Sequence, residues 1–420
     1  MSKTSLFIGK TIRRISRLRG GGSALPGLVV EKIDKNFLQR TLSHLPHGIV
    51  VVSGTNGKTT TTKMVVELLE SQNLRVFTNS TGSNFKRGII SSVIEESSLS
   101  SKLSYDIAVL ELDEAHAVHF IKDVAPNYCL LLNVMRDQLD RFGEIDTTAN
   151  MLEKIASATK KHIVVNREDE RIVEFIKKID IPTTYYGLSS ELRKEFPTDD
   201  ELYSNQKKSL SHIHAQVVLD SIKNHTAYFD IDEKIFKSEL KINGLYNVFN
   251  AAGAIALVKV ILGDKLDNRA LFHKLSQITP AFGRGESLKI GNRNLEIILV
   301  KNPAGFRLGI KSFNNKSVDI MIAINDNYAD GRDMSWLWDV DFSDMKKNGV
   351  LMVGGTRSYD MALRLKYDEI ALKHMESNLK KSLKHFIETS SGNMRIFCTY
   401  TAMLSIREEL KKYTKVERVL

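Results

Sequence analysis

From about residue 47 to residue 282, short β-branched apolar runs alternate with amphipathic stretches. HGIVVVSG is followed by helical spacing over 61–71, then by apolar runs at 105–112, 128–134 and 162–166. Strand-length runs separated by helix-length segments predict a parallel sheet with helices on its faces, an α/β fold. Residues 189–237 break this rhythm, with charge-rich ELRKEFPTDDELYSNQKK ahead of two hairpin-like runs at 212–219 and 226–231, and are expected to form an insertion. Beyond Gly283 and Gly285 a second alternation begins, with strands expected at 295–300, 318–325, 349–354 and 394–399 and helices at 358–365 and 406–413. The chain therefore divides into a basic lead with a glycine-rich joint (1–40), a central domain (41–282) and a smaller C-terminal α/β domain (283–420). Both α/β parts fall in the usual domain size range.

The first strand carries the clearest chemistry. It ends in Gly54-Thr55-Asn56-Gly57-Lys58-Thr59-Thr60 and runs into a helix expected at 61–70. That arrangement brings backbone N–H groups and a helix N-terminus to one point, where phosphate binds. Glycine lets the backbone approach the phosphates, Lys58 supplies a point charge to their outer oxygens, and the Thr59 hydroxyl is placed to hold Mg²⁺. The generic G-x-x-x-x-G-K-[ST] pattern is not met, because Val52 stands at its first glycine. Further on, the apolar run IAVL ends in Glu111-Leu112-Asp113-Glu114. A carboxylate at a strand's C-terminal end beside a phosphate loop is where a second Mg²⁺ contact belongs, which selects Glu111. Asp113 and Glu114 read equally well as further Mg²⁺ contacts and as helix-capping or solvated acids.

Composition narrows the class. With 420 residues, 42% hydrophobic and 26% charged, the chain is too long for one core and too ordinary for disorder. Its two cysteines, Cys129 and Cys398, lie apart inside apolar runs, so no disulfide framework is expected and a reducing compartment fits. No apolar run is expected to reach the roughly 18 residues that span a bilayer, and no secretory core is visible, so a cytoplasmic location is expected. The net charge is +10, part of it in KTIRRISRLR at 10–19, where Ile12, Ile15 and Leu18 share helical spacing. That stretch reads as a solvated basic helix end, as a face for anionic lipid at the inner side of a membrane, or as an organellar targeting peptide. A basic balance suits anionic substrates generally, and without an aromatic RNA-binding motif or zinc-finger spacing no nucleic-acid partner is expected.

The short form G-T-N-G-K-T-T is that of Mur ligases and folylpolyglutamate synthases. From about residue 20 to residue 403 the chain resembles the MurT family, the Mur-ligase-like subunits of lipid II isoglutaminyl synthase. The likeness rests on GGGSALPGLV, GTNGKTTTTK, ELDEA, NVMRDQLDRFGE, NGLYNVFNAAGA, AFGRGE, KNPAG and DNYADGRDMSWLWDVDF. The resemblance implies that Asn247 and Asn250 approach the adenine of ATP and Arg284 its triphosphate. Without it, the two asparagines read as a helix start and Arg284 as a surface residue in a glycine-rich hinge. Asp137-Gln138-Leu139-Asp140 lacks the histidine that amino-acid-adding Mur ligases carry after the first aspartate, a departure that the MurT group shares. Many MurT proteins carry a four-cysteine zinc ribbon. The equivalent stretch here has no cysteine, and His212, His214 and His225 alone do not make such a site, so no zinc is expected.

By the same resemblance the reaction is amidation of the α-carboxyl of D-glutamate in the lipid II stem peptide. ATP activates the carboxylate as an acyl phosphate, Mg²⁺ assists, and ammonia comes from a GatD-like glutaminase subunit. Neither cysteine has the surroundings of a glutaminase nucleophile. The segment 326–342 is where the C-terminal domain is expected to meet this chemistry, with Asp333 favoured over Asp330 as the essential carboxylate. Trp336 and Trp338, the chain's two tryptophans, are expected at the partner interface, core packing being the alternative. Addition of an amino acid, or a scaffold role for a glutaminase, are the competing readings.

Overall fold

The computed structural model describes residues 3–18, 24–79, 85–98, 103–135, 145–195, 213–223, 226–242, 244–279, 284–312 and 318–416. It separates into two compact units. The first comprises Met1–Val134, Asp146–Leu240 and Val248–Ile278, and the second Met135–Ile145, Lys241–Asn247 and Thr279–Leu420.

The first unit is built on a nine-stranded sheet, β1 Ile49–Ser53, β2 Val76–Thr78, β3 Ile107–Glu111, β4 Tyr128–Leu131, β5 His162–Asn166, β6 Thr183–Leu188, β7 Val217–Lys223, β8 Thr226–Ile231 and β9 Lys234–Glu239, in the order β2-β3-β1-β4-β5-β6-β7-β8-β9. Strands β2 to β7 pair in parallel around β1, and β8 and β9 close the far edge antiparallel. All five residues of β1 are buried, as expected for a central strand covered on both faces. The chain leaves β1 toward β2 and β3 and returns on β1's other side as β4, so the strand order reverses at β1. That reversal opens a crevice at the strands' C-terminal ends, the usual place for a ligand in such a sheet.

Strands β7 to β9, which fall largely within the stretch 189–237 read from sequence as an insertion, extend the edge of the main sheet, with β7 parallel to β6. One expectation changes here: the absence of a bilayer-length apolar segment is corrected, because the helix Leu245–Leu262 is long and apolar enough by length and composition. It is a core helix: every residue from Val248 to Val258 is buried, and at Gly253 the Tyr186 ring packs so closely that a Cβ would lie 3.0 Å from it.

The second unit carries a six-stranded sheet, β10 Arg284–Ile290, β11 Arg293–Leu299, β12 Asp319–Ala323, β13 Val350–Gly354, β14 Leu372–Glu376 and β15 Met394–Cys398, ordered β10-β11-β15-β12-β13-β14. Only β10 runs antiparallel, joined to β11 by a tight turn at Gly291, whose φ is +59°. One face is covered by a core around Phe306, Trp336, Phe342 and Phe397, the other by a core around Phe386, Met403 and Ile406.

Candidate functional site

Three strand ends of the first unit meet at the crevice. Strand β1 delivers the loop Gly54 to Gly57 and the helix Lys58–Glu70, β3 delivers Glu111, and β4 is followed by Asn133. Gly54 and Gly57 hold φ of +133° and +91°, a region that side chains other than glycine rarely enter. At Gly57 space matters as well, since a Cβ there would lie 2.3 Å from Asn250 Nδ2. The loop thus passes directly under the Asn250 amide.

The Thr59 hydroxyl donates to Glu111 Oε1 at 2.7 Å. Glu111 is fixed by Asn79, whose Nδ2 donates to Glu111 O at 2.8 Å and whose Oδ1 accepts from Glu111 N at 2.9 Å. Hard oxygen donors on a strand end and a helix start, each held by its own backbone, suit Mg²⁺. Lys58 is folded over the loop rather than extended from it. Its Nζ donates to Gly54 O at 2.5 Å and Thr55 O at 3.3 Å and lies 3.5 Å from Glu114 Oε2. A buried ammonium needs such acceptors, and the loop's carbonyls provide them. Glu114 is itself buried, and its other oxygen, Oε1, has no hydrogen-bond partner. Asp113 instead caps the helix Glu114–Ile121, accepting from Ala115 N at 3.3 Å. The hydroxyl of Thr60 is buried without a partner.

Asn133 is the site residue to which sequence reasoning gave no role. Its Oδ1 accepts from Asn56 N at 2.9 Å, its Nδ2 donates to Asn56 O at 3.0 Å, and its carbonyl accepts from Thr55 N at 2.9 Å. The phosphate loop is therefore stitched to the end of β4 across a separation of 77 residues. A glycine-rich loop has high conformational entropy when free, and this bracket supplies its rigidity.

Asn247 and Asn250 lie three positions apart near the start of the helix Leu245–Leu262 and so on one side of it. Arg284 opens β10, opposite Ile298, and its side chain lies outside the described residues. The segment from Asp137 to Asp140, with Gln138, also lies outside them, as do His212 and His225. Among the described residues no group of three or more His, Cys, Asp or Glu is placed to hold a metal. Both cysteines are free and buried, and burial pushes the Cys129 thiol up to about 12 and raises that of Cys398 as well.

In the second unit the loop after β12 separates the roles of its two aspartates. Asp330 is 3% exposed and acts as a clamp, accepting from Thr401 N at 2.7 Å, Thr401 Oγ1 at 2.5 Å and Asn327 N at 3.1 Å. Those bonds tie the loop to the start of the helix Tyr400–Leu410. Asp333 is half-buried, and hydrogen bonding from Ser335, including its backbone N–H at 2.9 Å, holds the carboxylate below its usual range. The paired expectation for the tryptophans is corrected for one of them. Trp336 is 5% exposed and packs with Phe306, whereas Trp338 is 48% exposed, edge-on to Tyr367 and under the Arg364 guanidinium. Tyr359, Leu363 and Tyr367 repeat at helical spacing and are all exposed on the helix Ser358–Tyr367.

Comparison with known proteins gives this arrangement a family. Residues 52–258 match the Mur ligase middle domain and residues 299–403 the MurT ligase C-terminal domain. The chain is 32% identical to the MurT subunit of the glutamine-hydrolysing lipid II isoglutaminyl synthase of Streptococcus pneumoniae, covering 96% of each chain. It is 29% identical to the subunit of that name from Staphylococcus aureus, over 97% of this chain and 98% of that one. In fold it is similar to the MurF ligase of Thermotoga maritima, solved in complex with ADP, at a TM-score of 0.68 and 17% identity over 91% of this chain and 83% of that one. With the phosphate loop, its Thr59 and Glu111 oxygens and both family domains present in one chain, this protein belongs to the MurT family of Mur-ligase-like subunits.

Proposed function

We propose that this chain is the synthetase subunit of a glutamine-dependent ligase that amidates the α-carboxyl of D-glutamate in the stem peptide of lipid II, giving D-isoglutamine for peptidoglycan. The observation that carries this reading is the Lys58, Thr59 and Glu111 set at the switch point of a chain that matches lipid II isoglutaminyl synthase subunits over 96% of its length.

A carboxylate does not react with ammonia at neutral pH, because oxide is a poor leaving group. In the proposed reaction the substrate carboxylate attacks the terminal phosphorus of ATP and ADP departs. Ammonia then adds to the acyl carbon, the acyl C–O bond breaks, and phosphate leaves carrying one former carboxylate oxygen while the nitrogen gives up a proton to become the amide. Phosphoryl transfer asks the protein for position and charge neutralisation rather than covalent help. Lys58 supplies a cation and the loop N–H groups cradle phosphate oxygens; by the family resemblance Arg284 would add a second cation, and Asn247 and Asn250 would recognise the base. Thr59 and Glu111 would hold Mg²⁺, which when bound neutralises phosphate charge.

The nitrogen has to come from elsewhere. A thiol raised to about 12 and sealed in the core, as Cys129 is, makes no glutaminase nucleophile. A GatD-like glutaminase subunit is the proposed source, with Asp333 as the residue of this chain that meets the incoming ammonia or the partner's catalytic group. The exposed Trp338, Leu363 and Tyr367 are proposed to seat that partner. The reaction is placed in the cytoplasm, where ATP and the lipid-linked precursor are both available.

The test is reconstitution with the partner, ATP, Mg²⁺ and lipid II, supplied with glutamine or with ammonium. Both nitrogen sources are expected to convert one carboxyl into an amide. A product enlarged by an amino acid residue would overturn the reading in favour of a conventional Mur ligase.

A further inference from the structure

The helix Lys3–Leu18 has a surface that the nucleotide site does not use. One side of it is seated on the first unit, with Leu6 buried and Gly9 so close to its neighbours that a Cβ would lie 2.7 Å from Ile94 and 3.0 Å from Val30. Arg13 pairs with Glu95, and the Ser5 hydroxyl donates to Asp34 at 2.9 Å. Contacts of Ser5 with Asp34 and of Gly9 with Val30 make the helix Leu25–Ile33 run antiparallel to it.

At about 100° per residue, the side opposite Leu6, Gly9 and Ser16 carries Phe7, Thr11, Arg14 and Ile15. Phe7 is 65% exposed and Ile15 47%. The antiparallel pairing sets Ile33, 52% exposed, at the Phe7 end and Leu25, 47% exposed, at the Ile15 end. Four large apolar side chains on one short hairpin stand in water. A soluble surface tolerates them singly, but a cluster marks an interface.

Charge identifies the occupant. Lys10 and Arg14 on the first helix, Lys32 on the second and Lys35 just beyond it form no ion pair among the described residues. The hairpin's acids are already neutralised: Glu31 by Lys86 at 3.3 Å and Arg87 at 2.8 Å, and Asp34 by Arg40 at 2.5 Å. Exposed apolar residues and unpaired cations on the same pair of helices fit the boundary of an anionic bilayer, where the rings and aliphatic chains enter the headgroup layer and the cations meet lipid phosphates.

We propose that the hairpin formed by Lys3–Leu18 and Leu25–Ile33 is a docking face for an anionic phospholipid membrane. This rests on the proposed function only in motive, since a lipid-linked substrate lies at such a surface. Its test needs no turnover.

The full chain would be sedimented with vesicles of phosphatidylcholine alone and of phosphatidylcholine with phosphatidylglycerol. Binding is expected to the anionic vesicles, weakened by salt because exposed charges are screened, and not to the neutral ones. Three double variants, Phe7→Ser with Ile15→Ser, Lys10→Glu with Arg14→Glu, and Lys32→Glu with Lys35→Glu, are each expected to weaken binding about tenfold or more. All should keep wild-type melting temperature and ATP affinity, and the third avoids the first helix altogether. Equal sedimentation with both vesicle types, or anionic binding unchanged in the folded variants, would overturn the proposal. If membrane binding holds while lipid II is not amidated, the docking face stands and the catalytic reading fails.

Discussion

Asn133 is expected to govern nucleotide affinity without touching the nucleotide's chemistry. Replacing it with alanine removes two side-chain hydrogen bonds to Asn56, one to its N–H and one to its carbonyl, while the backbone bond from Thr55 N to Asn133 O remains. Each bond contributes about 0.5–1.5 kcal/mol net, so the loop loses about 1–3 kcal/mol of preorganisation. ATP must then supply that ordering when it binds, which lowers affinity roughly 5- to 150-fold at 1.4 kcal/mol per decade. Strand β4 keeps its own ladders with β1 and β5, so the melting temperature should move little. Calorimetric titration of wild type and Asn133→Ala with ATP and Mg²⁺ measures the difference directly. An ATP affinity within twofold of wild type, in a variant that melts normally, would refute the idea that this bracket orders the loop.

Further outcomes follow from the same geometry. Lys58→Ala is expected to abolish product while the complex with the glutaminase still assembles, as size-exclusion chromatography would show; a scaffold role would leave the product intact. Trp336→Ala empties part of a core and should cost about 3–5 kcal/mol of stability, whereas Trp338→Ala should leave denaturant unfolding near wild type and weaken partner binding. Asp330→Ala should lower the melting temperature by releasing Thr401 and Asn327, whereas Asp333→Ala should keep stability and lose amidation. Cys129, with its thiol pushed up to about 12 by burial, should resist alkylation at pH 8 in the native chain and react at once when urea unfolds it. Fast native labelling would show that the burial is wrong.

The phosphate loop was legible because its signal is local: a buried β-branched strand, two glycines and a lysine in one short run. Glu111 was legible for the same reason, as the first acid after an apolar strand. Asn79 and Asn133 were not, since their importance lies in hydrogen bonds that span 32 and 77 residues of sequence. No periodicity records such a contact. Strand β14 was missed because LKHME lies at an open sheet edge with its side chains largely exposed, so it has no buried face to generate alternation. Strands β7 and β8 were legible as strands, but not as the edge of the main sheet, because the charged stretch before them interrupts the rhythm that marks a sheet. The core helix Leu245–Leu262 is buried all round for most of its length and shows no polar stripe, which is also why it passes for a membrane span. At the second unit's loop, sequence could name two aspartates but could not separate a clamp from an available carboxylate. That distinction depends on Thr401, 71 residues away.

The route of the nitrogen distinguishes amidation from amino-acid addition. The complex would be given lipid II, ATP, Mg²⁺ and glutamine labelled with heavy nitrogen in its side-chain amide, and the stem peptide fragmented by mass spectrometry. One heavy nitrogen per product is expected, located at the α-carboxyl of D-glutamate, with one ADP released for each and no product in Lys58→Ala. Heavy nitrogen found elsewhere in the peptide, or an amide formed without ATP consumption, would contradict it.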